Sequence, residues 1–121
     1  MHIFTLLYVK SPAASAAFYE KILGEKPFEF HPTFASFRLA DGHMLGLWGE
    51  AGAEPKPIGT GARSELCFDA ADRKDLEAKL EAWTAAGATL IQELSAMDFG
   101  DTFAVADPDG HRLRAMVARQ G

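Results

Sequence analysis

The sequence is poor in the residues that cross-link chains or hold metal ions. Its 121 residues include one cysteine, Cys67, and four histidines. A single cysteine excludes an intrachain disulfide and a zinc site built on cysteine pairs. No His-x-x-x-His or Glu-x-x-His spacing predicts a metal site either. The LCF setting of Cys67 is typical of a buried strand, so we expect an inert, buried thiol at that position.

Positive charge is also scarce, and long apolar runs are missing. The chain has 12 Lys and Arg against 17 Asp and Glu, which gives a formal net charge of −5. Because the basic residues are few and scattered, we expect neither nucleic acid nor an anionic membrane surface as a partner. The apolar run IFTLLYV at 3–9 is too short for a signal peptide or a membrane span, and we expect a cytoplasmic location.

What the sequence does contain is a series of short, strongly patterned elements. Hydrophobic residues make up 48% and charged residues 24% of the chain, as in ordinary globular domains. The run at 3–9 predicts a buried strand. Ser11 and Pro12 predict the N-cap and first residue of a helix, and Gly24 predicts its end. Three further strands are predicted at 26–30, 34–39 and 43–48.

The same order of elements recurs in the second half. A strand is predicted at 64–70, and Asp72 is expected to cap a helix that ends at Gly87. The stretches DGHMLGLW at 41–48 and DGHRLRAM at 109–116 mark the turn into the last strand of each copy. The remaining strands of the second copy are predicted at 88–94, 102–106 and 112–117.

The repeat predicts the domain organisation and the fold class. Module 1 spans 1–49, a linker rich in Gly, Pro and Ala spans 50–63, and module 2 spans 64–121. We expect one domain over 1–121, of class α+β, in which two βαβββ modules form a paired, curled, mixed β-sheet around a cleft. The second copy is longer, and we expect its extra residues in the helix and in the loop at 95–101.

Specific stretches carry a resemblance to a known family. YVKSPAASAAFYEKILG at 8–24 and VADPDGHRLR at 105–114, with the paired modules, resemble the vicinal oxygen chelate superfamily. That superfamily includes glyoxalase I, extradiol dioxygenases, fosfomycin-modifying enzymes and bleomycin-binding resistance proteins. LLYV at 6–9, LWG at 47–49 and DFGDTFAVADPDGH at 98–111 are similar to its phenazine-antibiotic resistance members. Because functions vary across the superfamily, the fold alone does not decide the activity.

The resemblance also implies where a metal ion would be bound. Metal-using members hold one divalent ion with His or Glu on the first and last strands of each module, which correspond here to Phe4, Gly46, Glu65 and Arg114. Only Glu65 can coordinate a metal, and the guanidinium of Arg114 would repel one. We therefore expect no metal, no cofactor and no catalytic residue. We hypothesise that Glu65 and Arg114 pair with each other instead; two unrelated, half-exposed side chains are the alternative.

Aromatic residues are the remaining candidates for ligand binding. Gly46 and Trp48 share a strand face, and a glycine there would leave room for a flat ring beside the indole. The resemblance implies that Trp48 stacks on the planar antibiotic. Phe34 and Phe37 should face opposite sides of their strand, so they cannot both line one cavity. Core packing is the alternative for each phenylalanine. The expected ligand-binding set is Trp48, Phe34, Phe37, Gly46, Phe99, Phe103, Glu65 and Arg114.

These observations favour a non-enzymatic binding protein. We expect metal-free binding and sequestration of a planar, hydrophobic aromatic molecule, phenazine-like or bleomycin-like, in antibiotic resistance. We expect a homodimer, because closed two-fold pairing is the commonest assembly. The main alternative is a metal-dependent lyase or oxygenase of the glyoxalase or dioxygenase type. Two others are a metal-free enzyme that uses Glu65 as a base with a pKa raised by burial, and a subunit without a ligand.

Overall fold

The computed structural model describes residues 3–59 and 64–118, which belong to two compact units, Met1–Thr60 and Gly61–Gly121. Their boundary falls in the linker predicted at 50–63, of which 60–63 lie outside the described residues. Within the described residues, each unit contains one α-helix and one four-stranded mixed sheet, in the order β-α-β-β-β, and the first unit also has two short 3-10 helices, Ala40–Gly42 and Glu50–Gly52. The predicted α+β class with two βαβββ modules is therefore confirmed.

The first unit begins with a strand and a helix whose ends follow from the sequence. Its elements are β1 (Phe4–Val9), α1 (Pro12–Leu23), β2 (Glu29–His31), β3 (Phe34–Arg38) and β4 (Met44–Gly49). Ser11 caps α1 by accepting a hydrogen bond from the Ala14 N–H at 3.1 Å, and Gly24 ends it with a left-handed φ of 70°. The strand order is β1-β4-β3-β2, with β1 parallel to β4 and the other pairs antiparallel.

The second unit repeats this arrangement. Its elements are β5 (Glu65–Asp69), α2 (Arg73–Ala85), β6 (Thr89–Met97), β7 (Gly100–Ala106) and β8 (Arg112–Ala118). The Asp72 side chain caps α2 by accepting a hydrogen bond from the Asp75 N–H at 2.7 Å. The strand order is β5-β8-β7-β6, again with one parallel and two antiparallel pairs.

The extra length of the second unit lies in one hairpin. The two helices have 12 and 13 residues, whereas β2 has three residues and β6 has nine. The prediction of a loop at 95–101 was wrong, because Ser95 pairs with Thr102 and Met97 pairs with Gly100. Two irregularities in the β6–β7 register interrupt the alternation of side chains. The full length of β6 therefore cannot be predicted from alternating hydrophobic and polar residues.

Each helix covers one face of its own sheet, and alternation along the strands defines the other face. In the first sheet, the helix-covered face carries the buried side chains of Ala35, Phe37, Leu45 and Leu47. The opposite face, here called the helix-distal face, carries Phe4, Leu6, Tyr8, Phe34, Ser36, Arg38, Met44, Gly46 and Trp48. Among the described residues, neither helix is long and apolar enough to span a bilayer.

Candidate ligand-binding site

Aromatic side chains lie in one row across the helix-distal face of the first sheet. The backbone register places Tyr8, Trp48 and Phe34 side by side on β1, β4 and β3. Tyr8 and Trp48 are stacked, with their ring centroids 6.1 Å apart and their planes at 29°. Both rings and that of Phe34 are only partly buried. Aromatic surface that is ordered and still accessible is what a flat ligand can stack on.

A second stacked pair lies beside this row and depends on the glycine of β4. Phe4 and Phe34 have ring centroids 6.5 Å apart and planes at 28°. A Cβ built on Gly46 would lie 2.6 Å from Phe4 Cε1 and 3.0 Å from Leu6 Cδ1. The space above Gly46, expected from the sequence to be open for a ligand ring, is therefore occupied by the ring of Phe4. That side chain is 52% exposed, so the ring can move away without disrupting the core.

Three of the expected ligand-binding phenylalanines lie elsewhere. Phe37 and Phe103 are fully buried on the helix-covered faces of their sheets. Phe103 packs edge-to-face against Trp83 of α2, at 5.3 Å between centroids. For these two residues the structure corrects the expectation, because strand alternation turns them towards the helices. Phe99 lies in the exposed turn between β6 and β7.

Glu65 and Arg114 form a two-point ion pair on the helix-distal face of the second sheet. Arg114 donates from Nε to Glu65 Oε2 at 2.9 Å and from Nη2 to Oε1 at 3.1 Å. The side chain of Glu65 is 26% exposed and that of Arg114 is 16% exposed, so solvent screens the pair only in part. The hypothesised pair is confirmed, and the alternative of two unrelated side chains is wrong.

Two further polar residues fix the guanidinium in place. Nη1 of Arg114 donates to Gln92 Oε1 at 2.7 Å and to Thr102 Oγ1 at 3.1 Å. The Thr102 hydroxyl in turn donates to the carbonyl oxygen of Ala115 at 2.8 Å. Neither residue was predicted from the sequence. Thr102 shares the strand face of Ala104, the register partner of Arg114, so strict alternation could have identified it; the irregular register of β6 conceals Gln92.

The ion pair determines the protonation of Glu65. Hydrogen bonds from Arg114 lower the pKa of the carboxyl group below its ordinary 4.5, against the opposing effect of burial, and the charge of Arg112 adds to the lowering. The same pair raises the pKa of Arg114. The direction of this shift is opposite to the raised pKa that the general-base alternative requires. An ionised carboxylate held by a guanidinium is a poor proton acceptor.

The donor set does not fit a divalent metal. Of the four positions where the resemblance implies metal ligands, the two in the first sheet are Phe4 and Gly46, whose side chains offer no donor atom. The two in the second sheet are Glu65 and Arg114, and both carboxylate oxygens of Glu65 accept hydrogen bonds from Arg114. Within residues 3–59 and 64–118, no three His, Cys, Asp or Glu side chains are grouped closely enough to hold a metal ion. No step that requires a metal can be derived from these residues.

Cys67 lies next to this network and was expected to be buried. It is exposed on the helix-distal face, in register with Arg114, because its neighbours Leu66 and Phe68 take the helix-covered face. Its Sγ lies 3.9 Å from Glu65 Oε2. Desolvation of the thiol and the negative charge of Glu65 both raise the pKa of Cys67 above its ordinary 9.0. The thiol is therefore exposed but protonated at neutral pH.

Comparison with known proteins agrees with this architecture. Residues 2–115 match the sequence profile of the Glyoxalase/Bleomycin resistance protein/Dioxygenase superfamily. The phenazine antibiotic resistance protein EhpR of Enterobacter agglomerans is 28% identical over 113 residues, which cover 90% of this chain and 85% of that protein. A protein of Agrobacterium tumefaciens solved by NMR is 43% identical, with a TM-score of 0.87 and coverage of 97% and 96%.

A crystal structure with lower identity shows the same fold. The glyoxalase-related enzyme of Fulvimarina pelagi is 23% identical, with a TM-score of 0.85 and coverage of 95% of this chain and 86% of the enzyme. The sequence match over nearly the whole chain and the structural similarity agree with each other. The chain therefore belongs to the glyoxalase/bleomycin resistance protein/dioxygenase superfamily.

Proposed function

We propose that this protein binds and sequesters a planar, hydrophobic aromatic molecule, and that it protects the cell from an antibiotic of the phenazine or bleomycin type. The observation that carries the proposal is the aromatic row on the helix-distal face of the first sheet. Tyr8, Trp48 and Phe34 are in register there and only partly buried. Stacking on such rings contributes about 0.5–1.5 kcal/mol per pair beyond the burial of apolar area.

The chemistry of the second sheet supports binding rather than turnover. Glu65, the one residue at the four family positions that could act as a metal ligand or a base, is engaged by Arg114. The pKa of its carboxyl group is lowered, so it remains ionised and paired at neutral pH. The carboxylate is held in a network with Arg114, Gln92 and Thr102 and is not available as a base.

The likeness to the phenazine antibiotic resistance protein EhpR supports the choice of ligand class. Protection by sequestration requires a dissociation constant below the working concentration of the drug, and 1 μM corresponds to about −8.2 kcal/mol. In this proposal the protein acts in the cytoplasm as a homodimer. Light scattering of the purified chain tests the dimer, which predicts twice the mass of one chain.

Equilibrium binding with one matched pair of variants tests the proposal. Phenazine-1-carboxylate is titrated into the wild-type chain, Trp48→Ala and Phe30→Ala by calorimetry, with and without EDTA. Phe30 is the control because it is 56% exposed and in register with Ala35, on the other face of the same sheet. We expect about tenfold weaker binding for Trp48→Ala, unchanged binding for Phe30→Ala and no effect of EDTA. Equal affinity of all three proteins, or binding only with added metal, would overturn the proposal.

A further inference from the structure

The helix-distal face of the first sheet contains a buried hydroxyl group that the fold does not use. Ser36 on β3 is 1% exposed. Within the described residues, its Oγ has no hydrogen-bond partner. Buried hydroxyl groups in folded proteins are nearly always hydrogen-bonded, because water is no longer available to them. An alanine at this position would fill nearly the same space without that cost, so the folded chain alone does not account for the serine.

The position of Ser36 connects it to the aromatic row. It lies in register with Gly46, the residue covered by the ring of Phe4. Phe34, two residues earlier on the same strand, faces the same side. The Phe4 ring stacks on Phe34 and lies over the glycine, and it is itself half exposed. Leu6 Cδ1 also lies over Gly46, so movement of the Phe4 ring together with a shift of this methyl group uncovers the backbone of Gly46 next to Ser36.

We propose that Ser36 is the hydrogen-bond anchor of the site, and that the ligand is a fused aromatic heterocycle with an acceptor nitrogen in its ring. The inference rests on the proposed function and narrows its ligand class. In the bound state the ligand displaces the ring of Phe4 and the Leu6 methyl group from Gly46, and it stacks on Trp48, which is two residues further along the same strand face. That spacing, about 7 Å along a strand, is within the length of a linear three-ring molecule. The Ser36 hydroxyl then donates to the ring nitrogen.

Two ligands that differ only in the ring nitrogens test this anchor. Phenazine-1-carboxylate and anthracene-1-carboxylate have the same shape and charge, but anthracene carries C–H groups where phenazine carries nitrogen. For the wild-type chain we expect roughly threefold to tenfold tighter binding of the phenazine, the range of one neutral hydrogen bond. In Ser36→Ala we expect that preference to disappear through loss of phenazine affinity, with the affinity for anthracene unchanged.

The outcomes separate the anchor from the proposed function. If neither compound binds the wild-type chain, the proposed function fails, and the anchor fails with it. If both bind the wild-type chain equally, or if Ser36→Ala weakens both by the same factor, the anchor is wrong and the aromatic site stands.

Thermal unfolding without ligand provides an independent test. Because the Ser36 hydroxyl is unpaired, we expect Ser36→Ala to unfold at the same or a higher temperature than the wild-type chain. Thr102→Val is the matched control, since it removes a fully buried hydroxyl group that donates to the Ala115 carbonyl, and we expect it to unfold several degrees lower. An equal drop in both variants would show that Ser36 is bonded within the fold, and would overturn the anchor.

Discussion

Arg114 holds both carboxylate oxygens of Glu65, at 2.9 Å and 3.1 Å, on neighbouring strands of the second sheet. The resemblance described above implies that both residues stand at positions where metal-using members of the superfamily place ligands to the ion. A guanidinium supplies positive charge and fixed hydrogen-bond geometry in this chain, so the carboxylate is neutralised by the protein itself. The pair therefore leaves both carboxylate oxygens of Glu65 hydrogen-bonded within the second sheet.

The ion pair predicts a specific dependence of stability on pH. The folded-state pKa of Glu65 is lowered from its ordinary 4.5, so the pair contributes its full stability above that pH and loses it as the pH falls through the folded value. Arg114 remains charged throughout. We expect Glu65→Gln to lose about 1–2 kcal/mol of unfolding free energy at pH 7, and progressively less as the pH falls below 4.5. Urea unfolding at pH 7 and at a series of lower pH values measures the difference.

A surface acid provides the control for this measurement. Glu77 pairs with Arg73 one helical turn away, and both side chains are more than half exposed. We expect Glu77→Gln to leave the unfolding free energy nearly unchanged, because an exposed ion pair contributes little to stability. If Glu65→Gln behaves like Glu77→Gln, the pair on the second sheet makes no stabilising contribution.

Gly46 is predicted to be required for the resting position of the Phe4 ring. Its added methyl group would lie 2.6 Å from Phe4 Cε1, but that ring is half exposed and can shift, so we expect Gly46→Ala to cost only about 1 kcal/mol. In a Phe4→Ala background the cost should be smaller. A double-mutant cycle of unfolding free energies measures this coupling. A cost that is the same in both backgrounds would show that the methyl group meets something other than Phe4.

The exposed thiol is predicted to react slowly, and its reactivity should depend on Glu65. Desolvation and the Glu65 charge raise the pKa of Cys67, which lowers the thiolate fraction at pH 8. We expect alkylation by iodoacetamide to be slower than for an unstructured cysteine peptide. Glu65→Gln removes one cause of the raised pKa and should speed the reaction roughly twofold to threefold. A slower reaction in the variant would contradict this assignment.

The fold could be predicted from the sequence because the signals that begin and end its helices are local. Ser11, Gly24 and Asp72 end or begin helices where the sequence predicts, since a cap depends on a few neighbouring residues. The ion pair between Glu65 and Arg114 was also predictable, because the two strands recur in both copies. The long β6–β7 hairpin was not, since its register irregularities break the period of two.

The candidate site was harder to predict because the alternation of residues in a strand does not show which of its two faces the helix covers. Phe37 and Phe103 are aromatic strand residues like Phe34, yet they face the helices and belong to the core. The ring of Phe4 on β1 covers Gly46 on the neighbouring strand β4. This contact depends on the conformation of the side chain and not on residue spacing. The unpaired hydroxyl of Ser36 is visible only once its burial is known.

The most direct test of ligand binding on the first sheet is the NMR spectrum of the two indole groups. The chain has two tryptophans, Trp48 on the helix-distal face of the first sheet and Trp83 in the core of the second unit. A ¹⁵N-labelled sample therefore gives one indole N–H signal for each. On titration with phenazine-1-carboxylate, we predict that the Trp48 signal shifts in proportion to the bound fraction while the Trp83 signal stays in place. A bound complex in which Trp83 moves and Trp48 does not would contradict the account.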